Sequence, residues 1–369
     1  MAKARQVIET VELYPIRIPY PRTVQWASIN EDAACYMLLK LTTRDGLVGV
    51  GEGTVKTTWT SATHRSLMVA FEELFTPLLI GTDIDDEQAL SRIWRFKEHS
   101  LAKAMIDIAI WDLRAQAAGK PLWALWNGSP DATVSWVVTR QPPKDMAREA
   151  EDIVGTYGIR TLKVKGGQGI ATDLAALDNI RSAVGDDVVI YVDANRGYTI
   201  DETPDYVARV AERGAVMVED PCPLMPNREF AKLQEKCSIP LLVDGDCRNL
   251  TMAKLFVEHR AKAFNLKLQK ARGYTENWQI AEAAGERNCA VNVGLFGESS
   301  LGSLAALQLS TSLPTRDQCM PAEVSMFLML PDEYVHEPLK VQGGRIRLPD
   351  TAGMATAVDW DKVKRLSPQ

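Results

Sequence analysis

Apolar and polar positions alternate over residues 8–18 and 35–50, the period-two pattern of strands whose two faces meet different surroundings. The stretch TTRDGLVGVGEG sets an Asp-Gly turn between the second of these strands and a third, which predicts an antiparallel meander. From about Thr60 to Ala118 the period becomes helical. Its last part, SLAKAMIDIAIWDLRAQAAGKPL, carries Ala, Met, Ile and Leu at helical spacing and stops near Gly119 and Pro121. After ALWNGSP short β-branched runs alternate with helical stretches. The runs are TVSWVVT, TLKVKG, VVIYVDA, AVMVEDP, PLLVDGD, AFNLKL, CAVNVGL and PAEVSMF. Strands alternating with helices mark βαβ units around a parallel sheet, and eight units over residues 133–328 predict a closed (β/α) barrel. The tail EPLKVQGGRIRLPDTAG reads as a hairpin that packs back on the N-terminal part.

Composition narrows the function classes. A chain of 369 residues with 46% hydrophobic and 24% charged residues has the make-up of a soluble globular protein, not a disordered one. A net charge of -6 leaves no basic surplus for a phosphate backbone, so nucleic acid is not expected as a partner. No apolar run approaches the roughly 20 residues that cross a membrane, and MAKARQVIETVELYPIRI lacks the apolar core of a signal peptide. A cytoplasmic location is expected. The six cysteines are scattered, which points to buried free thiols rather than a zinc site or disulfides.

The candidate chemistry lies where the barrel strands end. Catalytic groups of such barrels project from the C-terminal strand ends, and here those ends carry Lys163 and Lys165, Asp193 with Asn195, Glu219 with Asp220, Asp244 with Asp246, Lys267, Asn292 and Glu323. Lys163 and Lys165 are two residues apart and so share one face, where two ammonium groups repel unless an anion lies beside them. Asp193, Glu219 and Asp244 end three successive strands, and three adjacent carboxylates repel unless a cation joins them. Hard oxygen ligands from separate strands suit Mg²⁺, with Mn²⁺ as the alternative; zinc would call for His or Cys. A substrate carboxylate on that cation would lie between Lys163 and Lys165 on one side and Lys267 on the other. A lysine beside another cation loses proton affinity, which would make Lys165 a base for the proton next to the carboxylate.

The sequence resembles the enolase superfamily, and within it the muconate lactonizing enzyme subgroup. The resemblance is carried by VGVGEGT, AKAMIDIAIWDLRAQAAGKPLWALWNG, LKVKGG, YVDANRGYT, VEDPCP, LLVDGD, FNLKLQKARG and GESSLG. It implies a modified (β/α) TIM-type barrel over residues 129–328, an N-terminal α+β capping domain over 1–128, and a C-terminal segment, 329–369, that completes the cap. It also implies metal ligation by Asp193, Glu219 and Asp244, acid/base catalysis by Lys165 and Lys267 from opposite faces of the substrate, and supporting roles for Lys163, Asn195 and Glu323. A homo-oligomer is expected on the same ground. The related mandelate racemase subgroup uses a His with an Asp on late strands, whereas His64, His99, His259 and His336 all fall outside strand ends. Two departures stand out: Asp246 follows Asp244 closely enough to compete as ligand, and Arg272-Gly273 replaces a Gly-Gly pair, which makes Arg272 a candidate substrate contact.

These residues fix an enediolate intermediate more firmly than a product. Racemization or epimerization, cycloisomerization and, as an alternative, dehydration of a sugar acid all start from it. A silent scaffold that keeps the fold, marked by the unusual DGD, is a further alternative; a Schiff-base aldolase would not need three carboxylates. Trp26, Trp59, Trp136 and Glu298 are expected in the substrate pocket, while Arg22, Lys56 and Arg140 are candidates for a second anionic group.

Overall fold

The computed structural model describes residues 5–26, 28–314 and 319–367. Three antiparallel strands open the chain in the order β1 (Ile8–Gln25), β2 (Asn30–Thr43), β3 (Val48–Thr54). The Asp-Gly turn forms as expected: the Gly46 amide donates to the Thr43 carbonyl at 2.9 Å and Gly46 has φ +84°. β1 runs seven residues beyond the alternation that announces it, and its register slips between Pro19 and Val24. Prolines lack the amide a ladder needs, and β1 tolerates them because it is an edge strand.

The glycines of VGVGEGT line one face of β3, and the helix Ser100–Ala118 lies directly on it. A Cβ on Gly51 would stand 2.1 Å from the Met105 carbonyl oxygen, and one on Gly49 2.3 Å from that of Ala109. Only residues without a side chain allow that approach. The opposite face of β3 presents Glu52 and Thr54 to the barrel, where Glu52 accepts from the Ser299 amide and the Thr54 amide donates to Gln269.

The chain then crosses a short strand, β4 (Asp131–Thr133), and enters a parallel sheet of seven. These strands are β5 (Trp136–Val138), β6 (Thr161–Lys165), β7 (Val189–Asp193), β8 (Ala215–Glu219), β9 (Leu241–Val243), β10 (Ala263–Leu266) and β11 (Ala290–Val293), hydrogen-bonded in sequence order. Two expectations are corrected here. TVSWVVT divides between β4 and β5 instead of forming one strand. PAEVSMF does not form an eighth strand: residues 319–323 close the ring by isolated parallel bridges, Val291 to Cys319 and Val134 to Ala322, with the Glu323 amide donating to the Val293 carbonyl at 2.8 Å. Pro321 has no amide to give, and the backbone turns into a 3₁₀ helix at Met326–Met329.

The tail is also corrected in part. It turns at Gly343-Gly344, where Gln342 and Arg345 form one antiparallel bridge, but beyond that bridge its outgoing arm, β12 (Arg345–Arg347), pairs antiparallel with β4. Beyond it the Met354 amide donates to Asp112 and the Trp360 ring lies 5.5 Å from Tyr14, so the segment does return to the N-terminal sheet. No helix among the described residues is long and apolar enough to cross a membrane. Inside the barrel Tyr191, Met217, Leu242 and Ala263 form an apolar floor. Polar residues two positions further along the same strands stand above it.

Candidate active site

The first polar layer answers why two lysines share a strand face. Lys163 is 1% exposed, and its Nζ lies 2.7 Å from Glu219, 3.0 Å from Glu323 and 3.2 Å from Asp193. Burial alone would pull its pKa down, but Glu219, Glu323 and Asp193 outweigh that and hold it well above the ordinary lysine value. Glu323 is fully buried and accepts further from the Tyr191 hydroxyl at 2.6 Å and Asn292 at 2.5 Å. It therefore stands inside the barrel, below the mouth. Lys163 is thus not a bare cation beside Lys165, because three carboxylates surround it.

The next layer is the mouth. Lys165 Nζ donates to Asp193 Oδ2 at 2.6 Å and to Asn195 Oδ1 at 3.4 Å. The Asn195 amide donates back to Asp193 Oδ1 at 2.9 Å, and Asn195 and Arg196 both take positive φ (+46° and +62°) as the chain leaves β7. Asn tolerates that conformation through such a local bond; Arg at positive φ is unusual and sits next to the site. Across the mouth, Lys267 Nζ donates to Asp244 Oδ2 at 2.6 Å. Lys270, which lies beyond the end of β10 and has no signal in the strand-end pattern, donates to Asp244 Oδ1 and to the Asp244 and Asn265 carbonyls at 2.7 to 2.8 Å. Burial raises both end carboxylates, yet Lys165 and Lys163 hold Asp193, and Lys267 and Lys270 hold Asp244, below the usual carboxylate range.

Asp193 and Glu219 end adjacent strands in direct register, and Asp244 follows the last residue of the next strand. Burial and then Asp193 push Glu219 well above its ordinary value. Glu219 Oε1 is buried without a hydrogen-bond partner. Among the described residues no three carboxylate, His or Cys groups already converge as a ready cage; each carboxylate faces a lysine. The donor set nevertheless fits a hard divalent cation. It is all oxygen, it comes from neighbouring strands, and it includes one orphaned lone pair that a cation would satisfy.

Lys165, Asn195, Asp244 and Lys267 line one cavity of about 270 Å³, with Arg196, Arg248, Gln269 and Lys270 from the barrel. Ser28, Thr58, Trp59, Thr60 and Ser100 wall it from the N-terminal part, and Phe296 closes the end beyond β11. Among the described residues no histidine lines it.

The Enolase C-terminal domain-like family matches residues 145–362, and the Mandelate racemase / muconate lactonizing enzyme N-terminal domain matches residues 8–126. The chain belongs to the enolase superfamily, in its muconate lactonizing enzyme subgroup. A chloromuconate cycloisomerase of Pseudomonas putida is 27% identical over 370 residues, 98% of this chain and 99% of its own. A muconate lactonizing enzyme of Mycobacterium smegmatis, solved with muconolactone, superposes with a TM-score of 0.92 at 26% identity, over 99% of this chain and 100% of its own. A dipeptide epimerase of Cytophaga hutchinsonii, solved with Mg and the dipeptide D-Ala-L-Val, gives 0.89 at 26% identity over 98% of each chain.

Several pocket expectations for this superfamily member are corrected. Trp136 points away from the barrel interior, and its indole donates to Glu149 at 2.7 Å; its neighbour Val137 takes the inward face. Trp26 is buried behind Trp59, with ring centroids 5.3 Å apart, so that of the three tryptophans Trp59 alone lines the cavity. Glu298 does not line it either; it is buried and accepts from the Phe296 amide at 2.8 Å. Asp246 does not compete for the metal position, because it holds Arg196 at 2.9 Å and the Leu224 amide at 2.9 Å. Arg272 lies over the Trp94 ring, 4.8 Å from its centroid. The candidate cations are engaged elsewhere: Lys56 with Glu31, Arg140 with the Gly166 carbonyl, and Arg22 with Thr139.

Proposed function

We propose that the protein is a Mg²⁺-dependent isomerase that removes a proton from the carbon next to a substrate carboxylate. The observation that carries this reading is the placement of Lys165 and Lys267. They leave the second and sixth strands of the ring, so they stand on opposite sides of the mouth, and both line the same cavity. Asp193, Glu219 and Asp244 would hold the cation, with Mn²⁺ as the alternative. Bound there, it would supply positive charge beside the carboxylate oxygens, where negative charge accumulates as the proton leaves.

The chain's own residues supply the proton handling. Lys165 donates to Asp193 and Lys267 to Asp244; were the two carboxylates to hold the cation, both lysines would be free to take or return a proton. Asn195 keeps Lys165 directed toward the cavity. Lys163 and Glu323 form a fixed ionic base beneath, with no exposure to substrate. Removal on one face and return on the other inverts the carbon, and that exchange needs two bases. Racemization or epimerization is therefore the first reading, in line with the dipeptide epimerase relative. Cycloisomerization, named for the chloromuconate relative, needs one base and is the second. Asp246 is engaged by Arg196 while Asp244 keeps its place, so the DGD stretch gives no support to a silent scaffold.

The test is NMR in D₂O with Mg²⁺ across amino-acid derivatives, dipeptides, sugar acids and unsaturated diacids. Deuterium entering next to a carboxylate, lost from one face in Lys165→Ala and from the other in Lys267→Ala, is the expected result. Absence of exchange together with absence of saturable Mg²⁺ binding would sink the reading.

A further inference from the structure

Lys56 is a buried cation that the proposed reaction does not use. Its side chain is 2% exposed and pairs with Glu31. Its Nζ stands 4.2 Å from the Trp26 ring centroid and 5.2 Å from that of Trp59. A buried ammonium is costly unless it is paired, and two ring faces with one carboxylate make that pairing.

The same box ties three separate pieces of chain together. Trp59 meets Trp26 edge to face at 5.3 Å and Phe296 at 5.4 Å. The Trp59 indole donates to Ser28 at 3.1 Å, and Ser28 meets Thr58 at 3.0 Å. Gly297, at φ +87°, lies so close that a Cβ there would be 3.3 Å from Lys56 Cε, and its carbonyl accepts from Tyr36. Ser28, Thr58, Trp59 and Thr60 belong to the wall that the N-terminal part gives the cavity, and Phe296 closes its end beyond β11.

We propose that Lys56 is a positioning residue: its charge, held by Glu31, Trp26 and Trp59, registers the N-terminal wall against the end of β11 and so sets the apolar side of the substrate cavity. Lys56 touches no reacting atom. The inference deepens the isomerase reading but its structural part stands apart from it.

Amide hydrogen exchange, followed peptide by peptide, tests it on the full chain. In Lys56→Met, which keeps the side chain's length and removes its charge, amides in 28–31 and 55–61 are expected to exchange on the order of tenfold faster, while those of Ser100–Ala118 keep their wild-type rates. Lys56→Arg keeps the cation and is expected to recover most of the protection. Glu31→Gln should move the same two segments and reads the box if Lys56→Met fails to fold. On a substrate that the wild type exchanges, Lys56→Met should raise KM with kcat within about twofold. Wild-type exchange and KM in Lys56→Met would overturn the proposal. So would equal losses in the Met and Arg variants spread over the whole chain, the mark of packing alone. If the wild type turns over nothing, the isomerase reading fails, and the exchange comparison still decides this one.

Discussion

Lys163 and Glu323, 160 residues apart in sequence, meet inside the barrel at 3.0 Å. The contact joins β6 to the closing segment, where only isolated bridges complete the ring. Lys163→Met would leave Glu219, Glu323 and Asp193 facing one another in a buried space. The expected cost is about 3–5 kcal/mol in urea unfolding, the range for breaking one side of a buried ionic group. The double variant with Glu323→Gln should recover part of it, because one of the stranded charges is then gone.

The three carboxylates of the mouth make a second expectation. A ligand that binds only the folded chain stabilises it by mass action, about 2.7 kcal/mol at a hundred times its dissociation constant. Mg²⁺ should therefore raise the melting temperature of the wild type. The rise should vanish in Glu219→Gln, which alters the carboxylate carrying the orphaned Oε1, and in Asp193→Asn. A wild type indifferent to Mg²⁺ would count against the site.

Much of this architecture is legible in the sequence, because a charged side chain at the end of an apolar run must find an opposite charge or a ligand close by. The strand and helix alternation, and the grouping of Lys165, Asp193, Glu219, Asp244 and Lys267 at one mouth, follow from period and order alone. What stays hidden depends on contacts between distant segments. Trp136 and Val137 are adjacent, and in a strand buried on both faces the pattern does not say which one looks inward. Asp244 and Asp246 have the spacing of one face, yet β9 ends at Val243 and the turn at Gly245 sends Asp246 to Arg196. Lys56 finds its carboxylate on β2 and one of its two aromatic faces, Trp26, just ahead of it; only Trp59 is near in sequence. The eighth strand reads as a strand until Pro321 removes one of its donors.

Trp136 supplies a contrast with the cavity wall. Trp136→Phe would remove the indole donor to Glu149, a carboxyl that burial already pushes upward, and should cost about 1–3 kcal/mol of stability. Its kcat and KM for α-proton exchange should stay at wild-type values. Trp59→Ala, which opens the cavity itself, should raise KM. Equal kinetic losses in the two variants would contradict the outward placement of Trp136.

Glu298 gives the protein a pH dependence of defined sign. Burial pushes its carboxyl up to about 7, and nearby Glu52 adds to the effect while Lys267 opposes it. The folded chain then holds this proton more tightly than the unfolded chain, whose carboxyl keeps a value of 4.5. The contribution is fully present below that value and is lost as pH rises through about 7, a span of about 3 kcal/mol. Asp112 and Glu333 are also pushed up to about 7 and act in the same sense. Melting temperature should fall between about pH 5 and pH 7, the span between the unfolded and folded values, and Glu298→Gln should flatten part of that fall. A stability that rises over the interval would overturn the assignment.

Lys267 and Lys270 take different oxygens of one carboxylate, and their surroundings separate their roles. Lys267 donates to Asp244 Oδ2 and faces the cavity beside Phe296. Lys270 directs its ammonium to three acceptors, Asp244 Oδ1 and two backbone carbonyls, which matches its three hydrogens. A fully engaged ammonium is suited to hold Asp244 in place, not to trade protons. Two effects of opposite sign then compete in Lys270→Met. Losing a neighbouring positive charge would tighten binding of a cation at Asp244. Losing the clamp would let the carboxylate and the ends of β9 and β10 drift, and supports of that kind are worth roughly 10–100-fold in metal affinity. Because Lys270 also ties both backbones together, the clamp should dominate, and calorimetry should show Mg²⁺ binding weakened by at least about tenfold. Tighter binding in Lys270→Met would show that the residue acts on Asp244 through charge alone.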